Sequence, residues 1–150
     1  MFHSSSLRRG RHSEPGRIYL VTTVTHGRQP LFVDFQLARL VISQLRESDG
    51  LGRCKTLAYV LMPDHLHWLL QLEDAELSEL VGTVKANAAR LINEVCGAKG
   101  MKRWQDGFFD HALRMEEDLA ASARYIVANP LRAGIVSRIG DYPHWDAVWL

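Results

Sequence analysis

Two apolar runs, Leu57 to Leu61 and Leu66 to Leu72, are separated by Met62-Pro63-Asp64 and little else. Proline cannot continue a helix and aspartate favours a turn, so the pair predicts an antiparallel hairpin around which the rest of the chain must be arranged. Upstream, Ile18 to Thr25 alternates Leu20, Thr22 and Val24 against Tyr19, Val21 and Thr23, a period of two in strand-forming residues. After the turn residues His26-Gly27-Arg28-Gln29-Pro30, Asp34 predicts a helix cap, with Leu37, Leu40, Val41 and Leu45 on one face and Asp49-Gly50 at the end. Beyond the hairpin, Leu77, Leu80, Val81, Val84, Ala88, Leu91, Ile92 and Val95 keep helical spacing up to Gly97. Phe108 to Met115 predicts a fourth strand. A third helix is expected from Glu116 to Ala128, stopping at Asn129-Pro130 because the residue before proline disfavours the α region.

Strand, helix, strand, strand, helix, strand, helix is the split βαβ plan. It predicts an α+β, ferredoxin-like antiparallel sheet with helices packed on one face, plus a C-terminal helix that carries Tyr125. At 150 residues and 47% hydrophobic, the chain has enough core for one domain, placed at 17–150. The stretch 1–16 mixes Ser, Arg, Gly and Pro without periodicity and is expected to be a flexible basic arm. No apolar run approaches the roughly 18 residues of a spanning helix and no leader is visible, so a cytoplasmic protein without a membrane partner is expected. Cys54 and Cys96 make neither a disulfide framework nor a CxxC pair.

A net charge of +1 argues against a protein that coats duplex DNA by bulk electrostatics. The distribution says more. Through residue 28, Arg8, Arg9, Arg11, Arg17 and Arg28 stand against Glu14 alone, and all but Lys55, Lys85, Lys99 and Lys102 of the 18 basic residues are arginines. A guanidinium fork suits bidentate phosphate contacts better than an ammonium does. The basic end is either a phosphate-binding arm or a solvated tail.

His65-Leu66-His67 opens the second strand of the hairpin. Alternation puts both imidazoles on one face, with Cα atoms about 6.6 Å apart, close enough to share one metal ion. The competing reading is a pair of exposed or internally satisfied histidines. Tyr125 and Asn129, four residues apart near the end of the third helix, are expected to project from one face. An amide oxygen can be a third, hard ligand, leaving open positions for water and phosphate oxygens, which suits magnesium or manganese. Alternatively Tyr125 packs its ring with the hydroxyl at the surface, and Asn129 caps a helix.

Four blocks then carry a resemblance: Tyr19-Leu20-Val21-Thr22-Thr23-Val24-Thr25-His26-Gly27-Arg28, Ala58-Tyr59-Val60-Leu61-Met62-Pro63-Asp64-His65-Leu66-His67, Trp104-Gln105-Asp106-Gly107-Phe108-Phe109-Asp110-His111, and Ala123-Arg124-Tyr125-Ile126-Val127-Ala128-Asn129-Pro130-Leu131-Arg132-Ala133-Gly134. In this order they resemble the single-tyrosine HUH transposases of the IS200/IS605 type, most closely the REP-associated branch. The resemblance implies a bacterial, metal-dependent single-stranded DNA endonuclease and strand transferase that acts on repeat hairpins through a 5′-phosphotyrosine intermediate and is nucleoid-associated when bound to DNA. It implies Tyr125 as nucleophile and Mg2+ or Mn2+ held by His65, His67 and Asn129. The DNA contacts would come from Arg8, Arg9, Arg11 and Arg17, with Lys85 and Arg90 on the second helix. His111 is a candidate for holding a metal ligand or Tyr125 in place. Asp64, where many relatives carry asparagine, can tune the metal or pair with an arm residue. Tyr19, Trp104, Tyr142, Trp145 and Trp149 either stack on unpaired bases or belong to the core. The oligomeric state is monomer or homodimer. Two other functions fit the fold: a non-catalytic DNA-hairpin-binding regulator, and an RNA-binding ferredoxin-like module, whose aromatic strand pattern this chain does not match.

Overall fold

The computed structural model describes residues 13–114 and 116–148. Arg8, Arg9, Arg11 and Trp149, and most of the expected arm, lie outside the described residues. The elements are β1 (Ile18–Val24), α1 (Phe35–Gly50), β2 (Cys54–Met62), β3 (His65–Leu72), α2 (Leu77–Cys96), β4 (Phe109–Leu113), α3 (Glu116–Val127), α4 (Asn129–Arg132) and β5 (Trp145–Ala147). The sheet is antiparallel in the order β4-β1-β3-β2-β5. The first six elements thus form the ferredoxin-like unit, with β1 and β3 central.

Local chemistry explains the helix boundaries. Asp34 Oδ1 accepts from the Leu37 amide at 3.1 Å and starts α1. Gly97 ends α2 at φ 64°, a left-handed conformation glycine adopts without steric cost, and its amide returns to the carbonyls of Asn93 and Glu94. The hairpin turn is tied to the loop after β1: the backbone N–H and the hydroxyl of Thr25 both donate to the Asp64 carbonyl.

The sheet is buried on both sides, which is why alternation alone did not mark its strands as amphipathic. One face carries Val21, Leu61, Leu66, Trp68, Leu70 and Leu72 beneath α1 and α2. The other carries Val60, Met62 and Leu69 beneath α3, through Leu119, Ala123, Ile126 and Val127. A register shift between Thr56 and Ala58 lets Cys54 and Thr56 share the first face although Ala58, Val60 and Met62 share the second.

Three expectations are corrected. The short strand β5, which extends the sheet beyond β2, was not anticipated, because three residues hold no readable period. Phe108 is buried core rather than the start of β4. Pro130 does not end helical structure. It offers no N–H to the Ile126 carbonyl, so α3 stops at Val127, and the chain restarts as α4 with the Leu131 and Arg132 amides both bonded to the Ala128 carbonyl. Tyr125 and Asn129 therefore belong to two successive helices rather than to one continuous face.

Candidate active site

His65 and His67 open β3 on the face covered by α3, with Val24 and Thr22 of β1 and Met62 and Val60 of β2 as their ladder partners. Their rings meet edge to face with centroids 4.8 Å apart. Each ring uses Nδ1 locally: His67 Nδ1 lies 2.9 Å from Thr22 Oγ1, and His65 Nδ1 lies 2.7 Å from Asp64 Oδ1. With both Nδ1 atoms engaged, Nε2 is the nitrogen left for a ligand on each ring. A partner on the other nitrogen is what fixes the tautomer of metal-binding histidines.

The electrostatics favour neutral, lone-pair-bearing imidazole at His67. Burial, then the neighbouring His65 and the charge of Arg132, lower its pKa to about 4. At Asp64, partial burial acts to raise the carboxyl, but the hydrogen bonds and charges of His65 and Arg28 outweigh it and hold it below the ordinary carboxylate value. Arg28 Nη1 stands 3.3 Å from Asp64 Oδ2. It is presented by a backbone at φ 52°, a left-handed conformation uncommon for a residue with a Cβ.

Tyr125 is 63% exposed at the end of α3. The guanidinium of Arg132, seven residues further along in α4, covers its ring at 3.8 Å from the centroid. The same group donates to the Tyr125 carbonyl at 2.6 Å and to Asn129 Oδ1. Asn129 Nδ2 is buried with no hydrogen-bond partner. Arg132 thus gathers Tyr125 and Asn129 into one cluster, and its charge reaches His67. Ile126 and Val127, which flank this cluster in sequence, pack in the same apolar group as Val60 and Met62, the ladder partners of His67 and His65.

The side chains that could hold a divalent cation are donors of types that suit one with open coordination positions. They offer two imidazole nitrogens and one amide oxygen, the latter currently held by Arg132. Among the described residues no three or more His, Cys, Asp or Glu side chains group as a metal cage.

The remaining candidates are placed unevenly. Lys85 turns inward, its ammonium donating to the carbonyls of Gln105 at 2.8 Å and Gly107 at 2.6 Å, and burial lowers its pKa. Arg90 is exposed and pairs with Glu94 on its own helix. Arg17 lies at the start of β1 beside Glu14. His111 is exposed on β4 opposite Leu20. Tyr19, Trp104 and Tyr142 are core residues, leaving half-buried Trp145 as the one described aromatic of the five not fully packed away. Thr22 and Arg132 are the contributors that the sequence reading gave no role, whereas Arg28, counted there with the basic end, pairs with Asp64. Arg132 stands three residues after Asn129, a spacing that would have brought it under suspicion had helix been expected past Pro130.

Comparison with known proteins follows the same blocks. Residues 17–129 match the family model described as "Transposase IS200 like". A REP-associated tyrosine transposase of Escherichia coli K12 is 32% identical over 88 residues, covering 57% of this chain and 50% of that protein. A relative from Haemophilus influenzae is 30% identical over 100 residues, covering 60% of this chain and 57% of its own length. The chain therefore spans about half the length of the curated relatives it matches. A solved REP-associated tyrosine transposase bound to a REP hairpin superposes with a TM-score of 0.70 at 25% identity, over 90% of this chain and 79% of that one.

Proposed function

The chain belongs to the IS200-like transposase family, and on that premise we propose that it is a metal-dependent single-stranded DNA endonuclease and strand transferase acting on repeat hairpins. The observation that carries the reading is the cluster of Tyr125, Asn129 and Arg132 beside a histidine pair whose Nδ1 atoms are both already engaged. The hairpin is suggested as substrate by the solved relative that holds one.

In this reading His65, His67 and Asn129 hold Mg2+ or Mn2+, which when bound polarises a non-bridging phosphate oxygen and offsets charge in the transition state. Thr22 and Asp64 orient the two imidazoles. Tyr125 Oη forms a bond to phosphorus as the bond from phosphorus to the 3′-oxygen breaks; the phenol proton leaves to solvent, and the departing 3′-oxygen is protonated by water. The product is a 5′-phosphotyrosine and a free 3′-hydroxyl. The covalent link preserves a phosphodiester-type bond, so a different 3′-hydroxyl can reverse the step and join new ends without ATP. Arg132 serves as the positioning group for Tyr125. Arg17 and Arg90 are the described basic residues available to the nucleic acid backbone, with Arg8, Arg9 and Arg11 preceding them in sequence.

The test is cleavage of single-stranded hairpin oligonucleotides with Mn2+, followed by denaturing electrophoresis for a covalent protein–DNA band. Wild type should form the band, and Tyr125→Phe should bind the same oligonucleotides without forming it. Binding by wild type with no band on any hairpin would favour the non-catalytic regulator. Release of cleaved strands with no attached protein would point instead to hydrolysis by water.

A further inference from the structure

We infer that the groove between the edge strand β4 and helix α3 binds the sugar–phosphate backbone of a single DNA strand leading away from Tyr125, an assignment that rests on the transferase reading above. The groove measures about 730 Å³, and Tyr125 is part of its lining. Its floor is the β1–β4 ladder, where Leu20 opposes His111 and Ile18 opposes Leu113. Leu20 lies two residues from Thr22, on the sheet face shared with His67, so the groove begins one ladder step from the candidate metal site.

At the other end stand Arg17 and Arg114. The same two arginines also line an adjoining hollow of about 530 Å³ that extends to Glu14. The two spaces are therefore joined at a pair of guanidinium groups. From Leu20 to Arg17 the strand covers about 10 Å, room for about two phosphates of an extended, unstacked backbone.

The chemistry of the walls selects the occupant. Among the described residues of its lining, two guanidiniums face one carboxylate, Asp118, on the α3 side. Among the described residues Arg17 pairs with Glu14 at 3.3 Å, an exposed pairing weak enough for a phosphate to displace. Small side chains at Ala121 and Ser122 leave width for a sugar–phosphate chain, and Tyr125 is the one aromatic among the described lining residues, so the groove there offers charge and length more than stacking. Contacts of that kind position a strand without reading its bases.

The experiment compares two fluorescein-labelled hairpin oligonucleotides of one stem sequence, blunt or carrying a single-stranded thymidine tail of about six nucleotides, by fluorescence anisotropy across a salt series. Wild type should bind the tailed form more tightly. Arg17→Ala combined with Arg114→Ala should lose roughly tenfold or more for the tailed form, with a salt slope shallower by about two, and so erase most of the preference for the tailed form over the blunt one. Arg46→Ala, an exposed arginine on α1, controls for bulk charge and should behave as wild type. Equal tailed binding by the double variant and wild type overturns the groove assignment and leaves the hairpin reading standing. Wild type that binds neither oligonucleotide overturns the hairpin reading, and the groove assignment with it.

Discussion

The guanidinium of Arg132 covers the ring of Tyr125 at 3.8 Å while donating to Asn129 Oδ1, so one cation touches both the candidate nucleophile and the candidate third metal ligand. A metal that takes up Asn129 must compete with that hydrogen bond. Arg132→Ala should therefore tighten Mn2+ binding by about fivefold, the equivalent of about 1 kcal/mol for a surface hydrogen bond to a charged group. It should also slow formation of the covalent adduct tenfold or more, because Tyr125 loses its brace. Calorimetric Mn2+ titration and adduct kinetics check the two effects separately; unchanged metal affinity would place the amide oxygen outside the coordination sphere.

His65→Ala and His67→Ala should each abolish measurable Mn2+ binding, since two ligands are too few to hold a divalent ion against water. Their structural costs should differ. His67 is largely buried against Thr22, and its removal leaves that hydroxyl without its partner, at a cost of about 1 kcal/mol. His65 is bonded to the neighbouring, part-exposed Asp64, and its loss should move stability by less. Calorimetry for the metal and urea unfolding of the chelated protein report the two consequences independently.

How much of this was legible in advance depended on range. The hairpin and the facing of His65 and His67 follow from a two-residue period beside a Pro-Asp turn, and the Asp34 cap from a local hydrogen bond; each is settled within a few residues. Thr22 next to His67 depends on the register of β1 against β3, which couples residues 45 apart in sequence, and no single-sequence period encodes that. The role of Arg132 was hidden by a correct local rule applied too strongly. Proline does interrupt the helix, but the carbonyl of Ala128 immediately nucleates another turn. Lys85 looked like a surface cation because its helix is amphipathic, whereas its ammonium reaches carbonyls in the 105–107 loop that only the tertiary fold brings near.

Lys85→Met should destabilise the protein by about 2–4 kcal/mol, because two buried-side carbonyls, of Gln105 and Gly107, lose a charged donor and the loop beneath Trp104 loses its tether. Hairpin affinity per folded molecule should change little. Urea unfolding measures the first quantity and anisotropy at a temperature where the variant is folded the second. A large affinity loss with unchanged stability would return Lys85 to the nucleic acid interface.

Acid should unfold this protein through its histidines before its carboxylates. His144 is buried in the fold with Nδ1 unpartnered, packed against the rings of Phe35 and Tyr142, and burial together with the charge of Arg39 lowers its pKa. His67 is lowered further, to about 4. Both groups are neutral in the native state yet take up a proton in the unfolded chain below about pH 6.5, so the unfolded state binds more protons as pH falls. Their stability contribution is therefore fully present above about pH 6.5 and is lost progressively towards about pH 4. His144→Phe removes one of the two titrating groups and its orphaned nitrogen while keeping a ring between Phe35 and Tyr142; the backbone carbonyl that accepts from Leu61 is untouched. The variant should match or exceed wild-type stability near neutrality and lose less of it on acidification. Thermal unfolding of the chelated proteins across this pH range checks the slope, and parallel curves for variant and wild type would mean that His144 is already protonated, or solvated, in the native state.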